Sequence, residues 1–419
     1  MSEFEEFTLG DFISLQRGKT YKSALLGQPG AVLIGLASIE REGGFRKNKL
    51  ETYGGDSPEK ISLKPGDLYV SLKDITQDGH LLGAIARLPD EIQYGRLTQD
   101  TVKLIFKREI FPKNYIYWLL RTPQYRKYCR SRQTGTTNLG LSREDFLSFP
   151  VPPITDLTNA IVIILESIEK KIENLRKQND TLEAIAQTLF KHWFVDFEFP
   201  NADGKPYKSS GGAMEPSELG EIPAGWRVGK LGDFCTIFRG SSPRPITSPV
   251  FFKNGTIPWI KIADATKLTS IYLSETKEFC TEAALPHTRF LKKGSLILSN
   301  SATVGIPMIL NLDGCIHDGW LSFKNYKIIS RNFLFFVLTN KLKLLTKYAD
   351  GTVQKKLNTG ILKNMDFIVA NENIIGEFTV IIQTIFDKIL VNEQQIQTLT
   401  KTRDVLLPKL MSGQIRIGG

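Results

Sequence analysis

The chain contains an internal repeat, and this repeat limits its possible folds more than any other feature of the sequence. Leu9-Gly10-Asp11-Phe12, followed by Arg17-Gly18, recurs 222 positions later (residue 231 against residue 9) as Leu231-Gly232-Asp233-Phe234, followed by Arg239-Gly240. Further along, Gly135-Thr136 recurs as Gly351-Thr352. An apolar helical pattern around residue 168 then recurs around residue 385. The order is kept at similar offsets, so the sequence predicts two copies of one unit.

Each copy is predicted to be a globular part followed by a helical part. The globular parts combine short β-type runs, punctuated by glycine, proline and asparagine, with a few helical stretches. This pattern indicates an α+β fold with mixed β-sheets. The predicted boundaries are residues 1–155 for the first domain, 156–198 for the first helical region, 199–222 for a linker, 223–372 for the second domain, and 373–419 for the second helical region with its C-terminal tail.

The two helical regions show the a/d rhythm of a coiled coil, in which apolar residues alternate at spacings of three and four. Asn179 and Asn392 interrupt the two apolar seams, where a polar residue usually fixes the register. Near the end of the first seam, either Ile185 or Ala186 fits the pattern. The seam positions are Ile161, Leu165, Ile168, Ile172, Leu175, Leu182 and Leu189 in the first helix, and Phe378, Ile382, Ile385, Ile389, Ile396, Leu399 and Leu406 in the second.

These seams predict a two-helix spacer between the two domains. The first seam covers 29 residues, or about 43 Å of helix. The linker is long enough to permit either a parallel or an antiparallel pair. We expect the antiparallel one, because it relates the domains by a pseudo-two-fold axis that matches the dyad of duplex DNA.

The charge balance favours a polyanionic partner. Lys and Arg total 54 against 44 for Asp and Glu, which gives a net charge of +10 and a pI near 9.2. The four cysteines form no Cys-x-x-Cys pair, no secretory leader follows Met1, and the longest aliphatic run is only Ile161–Leu165. We therefore expect a cytoplasmic protein with reduced thiols and no membrane span.

Motifs for catalysis or metal binding are weak. Gly18-Lys19-Thr20 resembles the end of a P-loop, but Ile13 stands where that motif needs glycine. The four histidines lack zinc-ligand spacing, so we expect no metal site. Methyltransferase motifs of the Asn-Pro-Pro-Tyr type are also absent from the sequence. We therefore expect no catalytic residue in this chain.

Two Glu-x-Lys pairs require separate consideration. Asp264, Glu275 and Lys277 leave open a stand-alone, metal-dependent nuclease. A second Glu-x-Lys pair, Glu169 and Lys171, lies in the helical region, where we expect both side chains on a solvated helix surface.

Binding of DNA remains as the predicted chemistry, with cations on phosphates and polar side chains on base edges. The candidates lie at equivalent positions of the two copies. In the first copy they are Arg17, Lys19, Thr20, Tyr21, Lys22, Lys73, Arg132, Thr136 and Thr137. In the second they are Arg239, Ser241, Ser242, Arg244, Lys261, Thr352, Gln354, Lys355 and Lys356.

The sequence also resembles a known family, the DNA-specificity subunits of Type I restriction-modification enzymes. The resemblance rests on the repeated Leu-Gly-Asp-Phe openings with Arg-Gly, on the two Gly-Thr motifs, and on residues 189–197 and 211–234, and it covers essentially the whole chain. It implies two target-recognition domains, each reading one half of an asymmetric bipartite DNA target, with helices that set the spacer and bind two methyltransferase subunits. Restriction subunits would join for cleavage.

The resemblance further implies that S-adenosylmethionine, ATP and magnesium are bound by the partner subunits and that this chain needs no cofactor. We expect the methyltransferase contacts on exposed helix seams and on the aromatic segment 190–199, for which core packing is the competing explanation. A coiled-coil scaffold with no role on DNA is the alternative outside this family.

Overall fold

The structure is a computed structural model that describes residues 7–47, 50–75, 78–136, 138–266, 268, 270–342, 344–346 and 357–409. It divides the chain into two compact units, one formed by residues 1–174 with 395–419 and the other by residues 175–394. Each unit contains a globular domain and parts of two long helices.

The α-helices are α1 Leu9–Phe12, α2 Lys113–Leu119, α3 Pro123–Ser131, α4 Arg143–Leu147, α5 Asp156–Phe194, α6 Leu231–Phe234, α7 Pro249–Phe252, α8 Ile262–Ala265, α9 Arg331–Asn340, α10 Thr359–Lys363 and α11 Glu372–Leu406. Short 3-10 helices cover Ser23–Leu25, Leu36–Ser38, Glu59–Ile61 and Glu282–His287. The strands up to the first long helix are β1 Phe7–Thr8, β2 Ile13–Arg17, β3 Leu26–Ile34, β4 Thr52–Tyr53, β5 Ser62–Leu63, β6 Leu68–Ser71, β7 Lys73–Asp74, β8 Ile85–Arg87, β9 Gly95–Leu97, β10 Thr101–Phe106, β11 Leu139–Gly140 and β12 Pro150–Val151. Those after it are β13 Met214–Ser217, β14 Gly220–Pro223, β15 Arg227–Lys230, β16 Thr236–Arg239, β17 Ile257–Ile260, β18 Tyr272–Leu273, β19 Glu278–Cys280, β20 Arg289–Leu291, β21 Leu296–Ser299, β22 Pro307–Leu310, β23 Gly314–Ile316, β24 Trp320–Lys324 and β25 Asp366–Val369.

The first domain is built on two four-stranded sheets. One has the order β2-β10-β6-β8 and is antiparallel throughout. The other has the order β4-β3-β9-β5 and is mixed, because β3 and β9 run parallel. Leu9 and Phe12 of the repeated Leu-Gly-Asp-Phe motif are fully buried in the main core of this unit. Helix α5 adds Ile161 and Leu165 to the same core, which fixes the domain on the helix.

The second domain repeats this design with different residues. Its five-stranded sheet has the order β16-β24-β21-β22-β18, and a mixed sheet has the order β19-β17-β23-β20. Leu231 and Phe234 are buried here as Leu9 and Phe12 are in the first unit. The predicted α+β fold with mixed sheets and an internal repeat is confirmed.

The two long helices run antiparallel within each unit. In the second unit, Asn392 donates to Asn179 over 2.8 Å, while Phe190 lies 5.9 Å from Phe378. In the first unit, Arg403 lies 3.9 Å from Glu169. Residue numbers rise on one helix as they fall on the other, so the antiparallel prediction is confirmed. The predicted seams lie at this contact: most members are buried, and Leu182, Leu189, Ile385, Leu399 and Leu406 are half-buried.

The choice between Ile185 and Ala186 is resolved in favour of the smaller residue. Ala186 is fully buried, whereas Ile185 is 50% exposed. On the second helix, Phe386 is fully buried beside the half-buried Ile385. A strict alternation of three and four drifts relative to a straight helix, so the apolar contact changes to the neighbouring position.

The aromatic segment after α5 lies in the core of the second unit, so the expectation that it contacts a methyltransferase is wrong. Phe190, Trp193 and Phe194 are almost fully buried, and Phe199 stacks on Trp226 with ring centroids 4.8 Å apart. Residues 199–222, for which the sequence predicts a linker, include the hairpin β13-β14. Their glycines and prolines therefore form turns of a folded segment that packs on this core.

In the described part of the chain, no helix is both long enough and apolar enough to cross a bilayer.

Candidate nucleic-acid interface

The first set of predicted DNA contacts collects at one end of the sheet β2-β10-β6-β8. Arg17 ends β2 opposite Val102, and Thr101 begins β10 opposite Ser71, which ends β6. The loops that leave β2 and β6 and enter β10 therefore meet at this end. We call the meeting point of residues 17–22, 72–75, 98–100, 134–136 and 138–140 the first loop edge.

Arg17 and Gly18 hold this edge together. The Arg17 guanidinium donates to the carbonyl of Gln99 over 2.7 Å, and the Gly18 amide donates to the carbonyl of Thr101 over 3.1 Å. A Cβ on Gly18 would lie 2.1 Å from the carbonyl oxygen of Thr98, so only glycine fits. The Arg-Gly pair is thus a backbone clamp, in which the Nε–H of the exposed Arg17 is bonded to the protein.

A buried arginine shapes the loop that follows. Arg96 is 3% exposed and donates to the carbonyls of Lys19 (3.3 Å), Thr20 (2.9 Å) and Asp56 (2.9 Å). With its backbone fixed in this way, the loop exposes the side chains of Lys19, Thr20, Tyr21 and Lys22 to solvent. Among the described residues, Lys19 and Lys22 form no ion pair. These two lysines are available for phosphates.

The Gly-Thr loop joins the same edge through a short strand pair. Lys73 pairs with Gly140, and the Leu141 amide donates to the carbonyl of Leu72 over 2.9 Å. A bridge between Thr134 and Gly140 closes the base of the loop. Exposed Thr136 therefore lies on a loop anchored beside Lys73, whose ammonium is 3.3 Å from Asp100.

Arg132 lies at the edge of this arrangement. Its guanidinium stacks on Tyr128 at 3.8 Å from the ring centre and lies 3.8 Å from Asp145.

The second domain repeats the clamp. Arg239 donates to the carbonyl of Asp318 over 2.9 Å, and Gly240 donates to the carbonyl of Trp320 over 2.8 Å. A Cβ on Gly240 would lie 2.2 Å from the carbonyl oxygen of His317. We call residues 239–244, 261, 299–300, 317–319 and 357 the second loop edge. Leu357 donates to Asn300 at 2.9 Å, as Leu141 does to Leu72 in the first domain.

Asp318 organises the second loop edge. Its carboxylate accepts a hydrogen bond from Ser242 (3.1 Å) and lies 3.5 Å from Arg239 and 3.9 Å from Arg244. Burial lowers the pKa of His317, although the charge of Asp318 opposes this shift. The neutral ring accepts from the Gly319 amide at 3.0 Å, which leaves its other nitrogen to donate to Asp318 at 2.9 Å.

Lys261 follows β17 beside β23, the strand that leads to His317, so it belongs to the same edge. Its ammonium forms a 2.5 Å ion pair with Glu278.

The structure therefore groups the predicted contacts of each domain on one loop edge, with Arg132 at the border of the first. Arg239, Ser241 and Arg244 are exposed, and Ser242 and Lys261 are half-buried. The predicted contacts that lie outside the described residues are Thr137, Thr352, Gln354, Lys355 and Lys356.

Several residues that shape these edges are not apparent from the sequence. Arg96, Gln99 and Asp318 are separated from the Arg-Gly motifs by about 80 positions and meet them only through strand pairing. The sequence holds one signal for two of them. Gln99 stands two positions before β10 and Asp318 two positions before β24, and each faces the Arg-Gly pair of its own domain.

The nuclease triad is not assembled as a metal site. The Asp264 carboxylate accepts the Lys261 amide (2.8 Å) and the Thr276 hydroxyl (3.0 Å) and acts as a cap for α8. In the described parts of the chain, no three His, Cys, Asp or Glu side chains are grouped to hold a metal ion. Nothing in this geometry favours the nuclease alternative.

Comparison with known proteins gives a consistent result. A family model described as "Type I restriction modification DNA specificity domain" matches the chain twice, over residues 1–184 and 223–401. The chain is 30% identical over 328 residues to the MjaIX specificity subunit of Methanocaldococcus jannaschii, covering 74% of this chain and 72% of that protein. It is 26% identical to the HindI specificity subunit of Haemophilus influenzae over 99% and 100% of the two chains.

Among solved structures, the chain resembles the S subunit of a Type I restriction-modification system from M. genitalium. The TM-score is 0.58, the sequence identity is 14%, and the match covers 98% of both chains. At this identity the likeness concerns the fold.

Proposed function

Because the chain belongs to the Type I restriction-modification DNA specificity family, we propose that each of its two domains reads one half of an asymmetric, bipartite DNA sequence. The chain itself performs no chemical step in this proposal. Methyl transfer and cleavage belong to partner subunits, two of them methyltransferases, which bind S-adenosylmethionine, ATP and magnesium. The long helices set the length of the unread spacer.

The observation that carries this proposal is the repeated construction of the two loop edges. Each is a sheet end, closed by an Arg-Gly clamp, that presents exposed cationic and hydroxyl side chains. Such a surface suits duplex DNA, because cations neutralise phosphates and fixed polar groups read base edges. A coiled-coil scaffold with no role on DNA would not need two loop edges with exposed cationic and hydroxyl side chains.

The two edges differ in the side chains that they expose. The first presents Lys19, Thr20, Tyr21 and Lys22, and the second presents Ser241, Ser242 and Arg244 after an equivalent clamp. Different side chains on equivalent frames read different bases. The two half-sites should therefore differ, and the target should be asymmetric.

The test uses this chain assembled with its methyltransferase subunits. The complex should methylate a random-sequence DNA library at one motif with two defined parts and an unread spacer, with binding that weakens as salt rises. Arg244→Ala should relax the preference in one half only, and the double change Lys19→Ala with Lys22→Ala should weaken binding at the other. Methylation without any preferred sequence would reject the proposal and favour the scaffold.

Matched apolar patches on the long helices suit the docking of two methyltransferase subunits. Ile163 (59% exposed) and Ile164 (41%) on α5 lie 217 positions before Val380 (70%) and Ile381 (41%) on α11, the offset that relates the seams of the two helices. Exposed apolar pairs at equivalent positions of a repeat fit two copies of one partner. They replace the aromatic segment as our candidate docking surface.

Ile163→Asp should weaken the binding of one methyltransferase copy about tenfold or more. In the complex, a charge would replace an apolar side chain that the bound methyltransferase covers. Val380→Asp should do the same for the other copy. Native mass spectrometry at limiting subunit concentration would then show complexes with one methyltransferase in place of two. Gln187→Asp, an exposed change on the same helix as Ile163, is the control. Two bound copies in all three variants would show that the patches are not the docking surface.

A further inference from the structure

A cluster of buried charges attaches the first domain to the long helices. Glu166 of α5 accepts hydrogen bonds from Arg87 of β8 (2.9 Å) and from the Trp118 indole of α2 (2.7 Å). One turn further, Glu169 accepts from Arg121 at 3.2 Å. The two carboxylate side chains are only 12% and 15% exposed. The expectation that Glu169 lies on a solvated helix surface is wrong.

Aromatic and basic side chains surround most of the cluster. The Tyr117 hydroxyl lies 3.4 Å from Glu169 and accepts from Arg121 at 2.8 Å, while Arg87 stacks on the Tyr117 ring at 4.5 Å. Arg403, near the end of α11, lies 3.9 Å from Glu169. Burial disfavours ionisation of Glu169, but Arg121 and Arg403 outweigh it and hold its pKa below the usual range. Helix α2, the turn after it and α11 therefore converge on the ionised carboxylate of Glu169 in α5.

The second unit has no such cluster at the equivalent positions. With the helix offset of 217, Glu166 corresponds to Gln383 and Glu169 to Phe386. Gln383 accepts from Asn332 at 3.0 Å and from Arg331 at 3.2 Å. Phe386 packs instead against aromatic rings, 5.5 Å from Phe335 and 5.8 Å from Phe336.

Two of the basic partners, Arg403 and Arg87, have neutral residues at the equivalent positions. Arg403 corresponds to the fully buried Ala186. Leu68 pairs with Arg87 in the first sheet, and the equivalent Leu296 pairs with the fully buried Ile309 in the second. The attachment rests on ionised carboxylates in the first copy, and on aromatic packing with hydrogen bonds to a neutral glutamine in the second.

We propose that Glu166 and Glu169 are positioning residues that fix the orientation of the first domain on the helices and so restrict the spacer between the half-sites. The inference rests on the proposed function. A small displacement of the first domain would leave two largely buried carboxylates without partners, which costs more than lengthening the hydrogen bonds to neutral Gln383 or shifting the aromatic contacts in the second unit. The attachment of the first domain therefore limits the range of spacer lengths that the protein accepts more strongly than the attachment of the second domain does.

The test compares DNA targets that keep both half-sites but differ in spacer by one or two base pairs. The assembled wild-type complex should methylate one spacer in strong preference to its neighbours. In Glu169→Gln the preference for that spacer should fall about tenfold, which corresponds to about 1.4 kcal/mol, while the bases of both half-sites stay the same. Glu377→Gln, which neutralises an exposed carboxylate on α11, should leave the preference unchanged.

A milder variant covers the case in which Glu169→Gln fails to fold. Tyr117→Phe keeps the ring and removes the hydroxyl between Arg121 and Glu169, and it should lower the spacer preference in the same direction by a smaller factor. If methylation falls equally at every spacer, in step with melting temperature, the carboxylates serve stability alone and the inference is wrong. A wild-type complex without any preferred sequence would instead reject the proposed function.

Discussion

Replacing Gly18 with alanine should lower specific binding at the first half-site about 100-fold or more, which corresponds to about 2.7 kcal/mol. The new Cβ would lie 2.1 Å from the Thr98 carbonyl oxygen and 2.6 Å from that of Leu97. Both oxygens belong to the backbone just before β10 and cannot rotate away, so the new methyl group fits only if the loop edge opens. Opening releases the hydrogen bond from Gly18 to Thr101 and displaces Lys19 and Lys22.

Gly240→Ala is the matched experiment in the second domain. Its Cβ would lie 2.2 Å from the His317 carbonyl oxygen, so the loss should be similar but confined to the second half-site. Binding is measured on DNA in which one half-site or the other is scrambled. Gly376→Ala, on the open surface of α11, is the control and should slightly increase stability. Equal losses at both half-sites from either clamp variant would contradict separate reading by the two domains.

Phe378→Ala should destabilise the second unit by about 3–5 kcal/mol, the cost of removing a large side chain from a packed core. Phe378 is fully buried, with ring centroids 4.9 Å from Phe194, 5.8 Å from Phe336 and 5.9 Å from Phe190. The ring joins both long helices to the second domain. Its loss should therefore lower the unfolding midpoint of this unit in chemical denaturation.

Val380→Ala is the matched control, because Val380 lies two positions away on the same helix and is 70% exposed. Its effect should stay within about 0.5 kcal/mol. Circular dichroism and tryptophan fluorescence in denaturant measure both variants, and Trp193 and Trp226 report on this core. A Phe378→Ala loss below about 1 kcal/mol would mean that the two helices and the domain are not held together by this cluster.

The architecture could be predicted from the sequence because it depends on patterns that extend along the chain. The repeat located the two domains, and the seams located the long helices, because burial of a helix face imposes a period on the residues. The relative direction of the two long helices was harder to predict. The linker permitted a parallel pair, and only a symmetry argument favoured the antiparallel helices that the structure has.

The details of the site depend on neighbours that are distant in sequence. Glu169 follows the solvent-facing pattern of a coiled coil, yet Arg121 and Arg403 bury it. The aromatic segment at 190–199 suggested a contact surface, but the core of the second unit covers it. Arg96 carries no local signal, and Asp318 is marked only by its place two positions before β24, because strand pairing brings both residues to the Arg-Gly loops.

Each Arg-Gly loop has residues that hold the backbone and others that are exposed to solvent, and this separation affects how such a protein can acquire new targets. Arg17 and Gly18 are occupied by the backbone of their own domain, while Lys19, Thr20, Tyr21 and Lys22 point outward from a loop whose course Arg96 already fixes. Mutations in the outward group should therefore accumulate without loss of folding, and under the proposed function each one samples a new DNA preference on an intact frame. The same proposal implies that a few surface substitutions suffice for retargeting and, because the frame occurs twice, that either half of the target can evolve while the other is held constant.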